Sequence, residues 1–255
     1  MNSLDRQFRS VALGSSKFES SSELVVGIDF GTTFTGVAYA HSGDLHGSLK
    51  TIAREVKVVN RWPNPTSAYE GKIPSIIAYR DRHIFGGSVR PRDEEFAVTH
   101  FKIGLQPNAG THYGSGDSSI TVLPFLNPNY RHPKFPKKEA VDFATDYLRC
   151  VNDFVRGTFF DLEFGSTFLR NQRISYVITV PAIWRDKATN LTRQAAERAG
   201  IPGDDLTIIT EPEAAALYCA IKCDEVDLVE GDRFLVCDAG GGTVVSVLRR
   251  NFSEE

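Results

Sequence analysis

Regular hydrophobic patterning begins at residue 23 with an apolar, β-rich run, Glu23–Asp29, that closes on a carboxylate. The turn Phe30-Gly31-Thr32-Thr33 and a second run, Thr35–Ala40, follow, so the pattern predicts strand, tight turn, strand. A third run at Glu55–Val59 and the paired segments Ile76–Tyr79 and His83–Phe85, around Arg80-Asp81-Arg82, extend the β-rich part. Between Gly104 and Pro136 Gly, Pro, Asn and Ser dominate and only Ile120–Leu123 reads as a strand, which predicts loop or insertion. From Lys137 to Arg156 apolar residues recur at Val141, Ala144, Tyr147, Leu148, Val151 and Val155, the period of an amphipathic helix.

The rhythm then alternates. Strand Ile174–Val180, helix Asp186–Ala199 closed by Gly200, strand Leu206–Thr210 and helix Pro212–Lys222 succeed one another. Strands separated by helices of this length require crossover connections, and so an α/β sheet. The last elements are an apolar run ending in a carboxylate, Arg233–Asp238, the turn Gly240-Gly241-Gly242-Thr243, and Val244–Leu248.

Composition narrows the function classes. With a net charge of -3 the chain has no global positive field to hold a nucleic-acid backbone or an anionic membrane. The longest apolar runs are of strand length, well short of the roughly 20 residues that cross a bilayer. Cys150, Cys219, Cys223 and Cys237 have no zinc-finger spacing and are too few for a disulfide framework, which points to a reducing compartment, cytoplasm or nucleus. Residues 1–22 hold seven serines and two arginines without a continuous apolar core, so they are expected to form a disordered tail and not a secretory signal, with a mitochondrial presequence, disfavoured by Asp5 and Glu19, as the alternative.

The two ends of the patterned sequence repeat one unit. Val26-Gly27-Ile28-Asp29-Phe30-Gly31-Thr32-Thr33 and Leu235-Val236-Cys237-Asp238-Ala239-Gly240-Gly241-Gly242-Thr243 each read as apolar strand, Asp, one intervening residue, then a Gly/Thr turn before another strand. One such turn is most simply a hairpin. A pair of them suits an anion clamp, because glycine lets backbone N–H groups approach a phosphate and threonine adds a hydroxyl. An Asp beside each turn would repel a phosphate unless a divalent cation lay between, and Mg2+ is commonly held by one or two carboxylates together with substrate phosphates. Neither Gly-x-x-x-x-Gly-Lys-Ser/Thr nor Gly-x-Gly-x-x-Gly occurs, and His-Glu-x-x-His and Gly-x-Ser-x-Gly are also absent.

Four segments in order resemble the ATPase domain of the 70-kilodalton heat-shock protein family, within the actin, sugar-kinase and heat-shock superfamily. Gly27–Thr33 resembles its first phosphate motif. Val180-Pro181-Ala182-Ile183-Trp184 with Ala195–Ile201 resembles the stretch before the connecting motif, Glu211–Leu217 the connecting motif, and Asp238–Thr243 the second phosphate motif. The Gly/Pro-rich insertion makes it most similar to the divergent twelve-A-like type. The resemblance implies an α/β, actin-like (ribonuclease-H-like) fold: a first lobe over 23–231 with an inserted subdomain at about 51–135, and the start of a second lobe at 232–255. It implies ATP and Mg2+ as cofactors, with client proteins or co-chaperones as partners of the full-length form and no nucleic acid or membrane. Gly31, Thr32 and Thr33 would bind phosphate oxygens opposite Gly240, Gly241, Gly242 and Thr243, with Asp29 and Asp238 in the magnesium-water shell. Lys102, in Phe101-Lys102-Ile103-Gly104, would reach the γ-phosphate, and Glu211 would lie near the attacking water, so that Lys102, Glu211 and Asp238 form the catalytic set. The plainer readings are a solvated loop-edge lysine for Lys102 and a helix N-terminal acid for Glu211.

Two departures qualify the resemblance. Val244-Val245 stands where the family has an apolar residue and then Asp, and no Gly-Gly-x-x-x-x-Pro-like adenosine segment occurs before Glu255, so a chain truncated within the second lobe is expected. Three functions stay open: a heat-shock-70-like ATP-binding protein whose ATP hydrolysis is coupled to a chaperone-type conformational change, a sugar or acid kinase of the same superfamily, and a truncated lobe without nucleotide activity.

Overall fold

The chain runs through β1 (Glu23–Phe30), β2 (Phe34–His41), β3 (Lys57–Val58), β4 (Lys72–Pro74), β5 (Ile76–Tyr79), β6 (His83–Phe85) and β7 (Ala97–Thr99) before its first long helix. Then follow α1 (Ala140–Phe154), α2 (Phe160–Phe164), β8 (Arg173–Val180), α3 (Asp186–Arg198), β9 (Leu206–Thr210), α4 (Glu211–Lys222), β10 (Arg233–Ala239) and β11 (Val244–Arg250). The structure, a computed structural model, describes residues 23–41, 55–64, 71–106, 125, 130–170, 172–222, 233–239 and 244–250.

The central sheet has the order β3-β2-β1-β8-β9, with β4 also paired to β2. β2 runs antiparallel to β1, whereas β8 runs parallel to β1 and β9 parallel to β8. The reason lies in the alternation: Leu24, Val26, Ile28 and Phe30 on β1 and Ile174, Tyr176, Ile178 and Val180 on β8 are all buried, one side chain in two, as a strand covered on that face requires. The connection β8-α3-β9 is the crossover that the alternating register predicts. α3 ends in a Schellman arrangement, with Ile201 N–H donating to Ala196 O, Gly200 N–H to Glu197 O, and Gly200 at φ 93°.

α1 covers the sheet and packs on α3, burying Phe143, Ala144, Tyr147, Leu148 and Val151. Phe30 stacks on Phe101 and on Tyr147, whose own rings meet tilted, with centroids 5.4–6.2 Å apart, which joins sheet, loop and helix. The helix predicted over 137–156 starts three residues later, because Glu139 is its N-cap and Asp142 accepts the Glu139 N–H at 2.8 Å. It also runs further: a π-helical turn, Val155–Phe159, carries it into α2. The extra residue of that turn brings Phe159, Phe160 and Phe164 edge-on around Tyr39 at 5.3–5.8 Å.

Elsewhere the structure corrects short elements. Of the run Glu55–Val59 only Lys57–Val58 pairs, as an exposed edge. β4 and β7 have three residues each, too few to show an alternation, and β4 ends in Pro74 on a sheet edge, where a missing donor is tolerated. β5, β6 and β7 make a second sheet of order β6-β5-β7, so the predicted hairpin forms and gains a partner. The repeated unit becomes two antiparallel hairpins, β1-β2 and β10-β11. Ile120–Leu123, Cys223 and residues 1–22 lie outside the described residues.

Burial sorts the thiols. Cys150 packs against the core from α1, and its thiol is pushed up to about 11, first by desolvation and then by Asp146 and Asp153, while Cys219 and Cys237 are exposed. At pH 8 a group of that pKa is thiolate in about one molecule per thousand. Iodoacetamide at pH 8 should therefore label Cys219 and Cys237 well before Cys150, as followed by peptide mass spectrometry.

Candidate functional site at the carboxyl end of the sheet

The turn Gly31–Thr33 between β1 and β2 is fixed from behind. Ser75, between β4 and β5, donates its N–H to Thr33 O at 2.8 Å and its hydroxyl to Gly31 O at 2.7 Å, and its oxygen lies 2.9 Å from the Thr35 hydroxyl. Tyr147 of α1 holds the neighbouring Pro74 O at 3.2 Å. A Cβ on Gly31 would sit 2.1 Å from Phe34 O, so only glycine fits there without moving the backbone. The Gly31 N–H donates to Asp29 O at 3.1 Å, which leaves the amides of Thr32 and Thr33 as the turn's available donors.

Asp29, one residue before the end of β1, is about half exposed. Its Oδ2 accepts from Lys72 Nζ at 2.8 Å and its Oδ1 from the Thr179 hydroxyl at 3.3 Å. Thr179 sits at the carboxyl end of β8, so the carboxylate is oriented by the neighbouring parallel strand.

Lys102 and Glu211, far apart in sequence, meet. The backbone reverses at His100, φ 59°, and the following turn sends Lys102 inward, where its side chain is only 3% exposed. Its Nζ lies 2.5 Å from Glu211 Oε1, 5.7 Å from the Phe30 ring centroid and 5.4 Å from that of Trp184. Glu211 is the first residue of α4. Thr210 and Glu213 cap that helix reciprocally, Glu213 Oε2 accepting from Thr210 N–H at 2.9 Å and from its hydroxyl at 2.7 Å. Glu213 thus serves the helix end, and Glu211 is left to face Lys102. A buried ammonium needs a partner, so the solvated loop-edge reading of Lys102 does not hold.

Asp29, Thr179 and Glu211 all stand at the carboxyl ends of parallel strands, or one residue beyond, the usual ligand-binding side of an α/β sheet. Of the remaining predicted residues, Asp238 pairs with Val245 in the β10-β11 ladder. Gly240, Gly241, Gly242 and Thr243 lie outside the described residues. Among the described residues no group of three or more His, Cys, Asp or Glu side chains converges as a metal cage. Asp29 nevertheless fits a magnesium ion of the kind held by a single carboxylate, waters and ligand phosphates, since it is accessible and borders the turn.

Ser75, Thr179, Trp184 and Lys72 were not legible as site residues. Ser75 and Lys72 sit on a three-residue strand or just after it and Thr179 acts through strand register, so none of these three carries a motif, and Trp184 belongs to a family-like segment that gives no sign of its place beside Lys102. A separate cavity of about 560 Å3, lined by Tyr39, Lys57, Val58, Asn60, Arg61, Phe159 and Glu163, also escaped the sequence reading. Burial, with Glu163 alongside, pushes the Tyr39 phenol up to about 12. No helix among the described residues is long and apolar enough to cross a membrane.

A sheet of this order, with an antiparallel hairpin turning beside a strand-end carboxylate and a second hairpin of the same design, defines an actin-like ATPase-type α/β domain. The family model described as Hsp70 protein matches residues 164–251. The chain is 41% identical over 230 residues to the chaperone protein DnaK of Gracilaria tenuistipitata var. liui, covering 88% of this chain and 32% of that protein. It is 32% identical over 238 residues to the chloroplastic heat shock 70 kDa protein 7 of Arabidopsis thaliana, covering 89% and 28%. To the human heat shock 70 kDa protein 12A it is 29% identical over 221 residues, covering 77% and 28%. The chain belongs to the Hsp70 family and spans about a third or less of the length of these relatives.

Removing one member of a buried ion pair strands the other, at a cost of about 3–5 kcal/mol. Glu211→Ala should therefore lower the urea-unfolding free energy by about that amount, while Lys102→Met/Glu211→Ala should lose clearly less than the sum of the single substitutions. Additive losses would mean the two side chains are not coupled.

Proposed function

We propose that this chain is the nucleotide-binding portion of an Hsp70-type ATP-binding protein, with the phosphates received at the Gly31–Thr33 turn. The observation that carries the reading is the convergence of that turn, Asp29 and the buried Lys102–Glu211 pair at the carboxyl end of one sheet. The amides and hydroxyls of Thr32 and Thr33 donate to phosphate oxygens, with Gly240, Gly241, Gly242 and Thr243 as their counterpart on the second hairpin. Lys102 has three N–H donors, of which Glu211 takes one, so two remain for phosphate. Phosphoryl transfer asks the protein mainly to position groups and neutralise charge. Glu211, held by Lys102, accepts a hydrogen bond from the attacking water and orients it.

Asp29 and Asp238 would hold Mg2+ through water, and the bound ion would offset charge on the phosphate oxygens. Hydrolysis, its coupling to a chaperone-type conformational change, clients or co-chaperones, a cytoplasmic setting and the lobe boundaries at 23–231 and 232–255 extend the same reading to the whole protein. Names of the relatives support it: chaperone protein DnaK and heat shock 70 kDa proteins.

Calorimetric titration of Mg-ATP into the 255-residue chain tests the proposal. We expect saturable binding that Asp29→Asn weakens about tenfold or more, with the melting temperature moved by only a few degrees, because an exposed ion pair contributes about 0–1 kcal/mol to stability. No binding by the unmodified chain would overturn it.

A further inference from the structure

Asp29, Gly36 and Lys72 occupy one row across three strands: Asp29 faces Gly36 in the β1-β2 ladder, and Gly36 faces Lys72 in the β2-β4 ladder. Two strand spacings separate the outer members by roughly 10 Å, which a lysine reaching across the small residue between them can close. Gly36 provides the gap. A carbon placed on it would lie 3.4 Å from Lys72 Cγ and 3.6 Å from Cε, so the aliphatic stem of Lys72 lies directly over the glycine and delivers Nζ to Asp29 Oδ2 at 2.8 Å. The acceptor is held too, through Thr179 on its other oxygen. Both side chains are half exposed, beside the turn that offers its amides to an anion.

We propose that Lys72 is a built-in counter-charge of the phosphate site: it neutralises Asp29 in the free protein and turns to an incoming phosphate, so that the chain binds nucleotide without a divalent cation. This rests on the nucleotide reading above and names a residue that none of the four recognised motifs contains. The chemistry is that of any exposed ammonium between a carboxylate and a phosphate. The Asp29 contact is weak in water, and a polyphosphate of higher charge displaces it. A protein with Asp29 alone at this position would repel metal-free ATP, and here the lysine removes that repulsion.

The test is ATP titration of the full chain in EDTA and, separately, in excess Mg2+, for the unmodified protein, Lys72→Met and Lys72→Arg. The unmodified chain should bind ATP in EDTA within about tenfold of its Mg2+ affinity. Lys72→Met should lose about tenfold or more in EDTA and clearly less in Mg2+, and Lys72→Arg should restore EDTA binding. Should Lys72→Met bind equally well in EDTA, or the unmodified chain bind only with Mg2+, this proposal falls and the nucleotide reading stands. Absence of binding in both conditions would overturn the nucleotide reading and take this proposal with it.

Discussion

A lysine cannot be buried alone, and the site is organised around that constraint. Lys102 lies under the carboxyl end of the sheet with its ammonium near Phe30 and Trp184 and its charge met by Glu211. Each neighbour comes from a different element: Phe30 from the end of β1, Trp184 from the turn after β8, Glu211 from the start of α4. Desolvating the cation costs several kcal/mol unless all these elements are in place, so the pair couples the turn after β7 to the far edge of the sheet. Rings near an ammonium add attraction of their own, stronger where water is excluded.

The β1-β2 turn is secured differently, by hydrogen bonds to its carbonyls. Ser75 occupies the oxygens of Gly31 and Thr33, which fixes the loop from one side and leaves the amides of Thr32 and Thr33 uncommitted on a rigid backbone. Ser75 is placed in turn by Pro74, whose carbonyl is held by the fully buried Tyr147, itself stacked on Phe30 and packed against Phe101. The aromatic core therefore supports the turn and the lysine together: Phe30 stacks with Tyr147 and also lies beside Lys102. Preorganised donors need no rearrangement when an anion arrives.

How much of this could be read from the residues depends on the range of the pattern involved. β1, β8, α1 and α3 announce themselves because an alternation or a 3.6-residue period needs only six or more residues to show. The first Gly/Thr turn and the Asp29 beside it are legible for a related reason, through repetition of the unit along the chain. Lys102 carried only the resemblance, since a lysine in a loop says nothing about burial. Its depth follows from the reversal at His100 and the aromatic wall of Phe30 and Trp184, both tertiary facts. Lys72 was invisible because its significance lies in cross-strand register over a three-residue strand, where a shift of one position would have placed it on the other face. Glu213 shows the converse. Two acids in Glu211-Pro212-Glu213 look alike in sequence, and only the reciprocal hydrogen bonds with Thr210 separate the capping acid from the one that faces the lysine.

The two lysines of the site consequently play different physical parts. Lys102, with 3% of its side chain exposed, is charged in a place where its field is little screened, and its position is set by packing. Lys72, at 49% exposure, is solvated and free to exchange partners, and only its stem is guided, where it passes over Gly36. A fixed cation gives directional selectivity for a tetrahedral anion but cannot adjust to its charge. A mobile one gives little selectivity yet adapts to whether the anion arrives bare or with a metal. Placing the mobile cation on the carboxylate that would hold the metal makes the two alternatives exclusive at Asp29, because one carboxylate oxygen cannot serve an ammonium and a metal-bound water at full strength together. If Lys72 acts as proposed, the metal dependence of binding would rest on a single surface side chain on an edge strand, where substitution disturbs the core least.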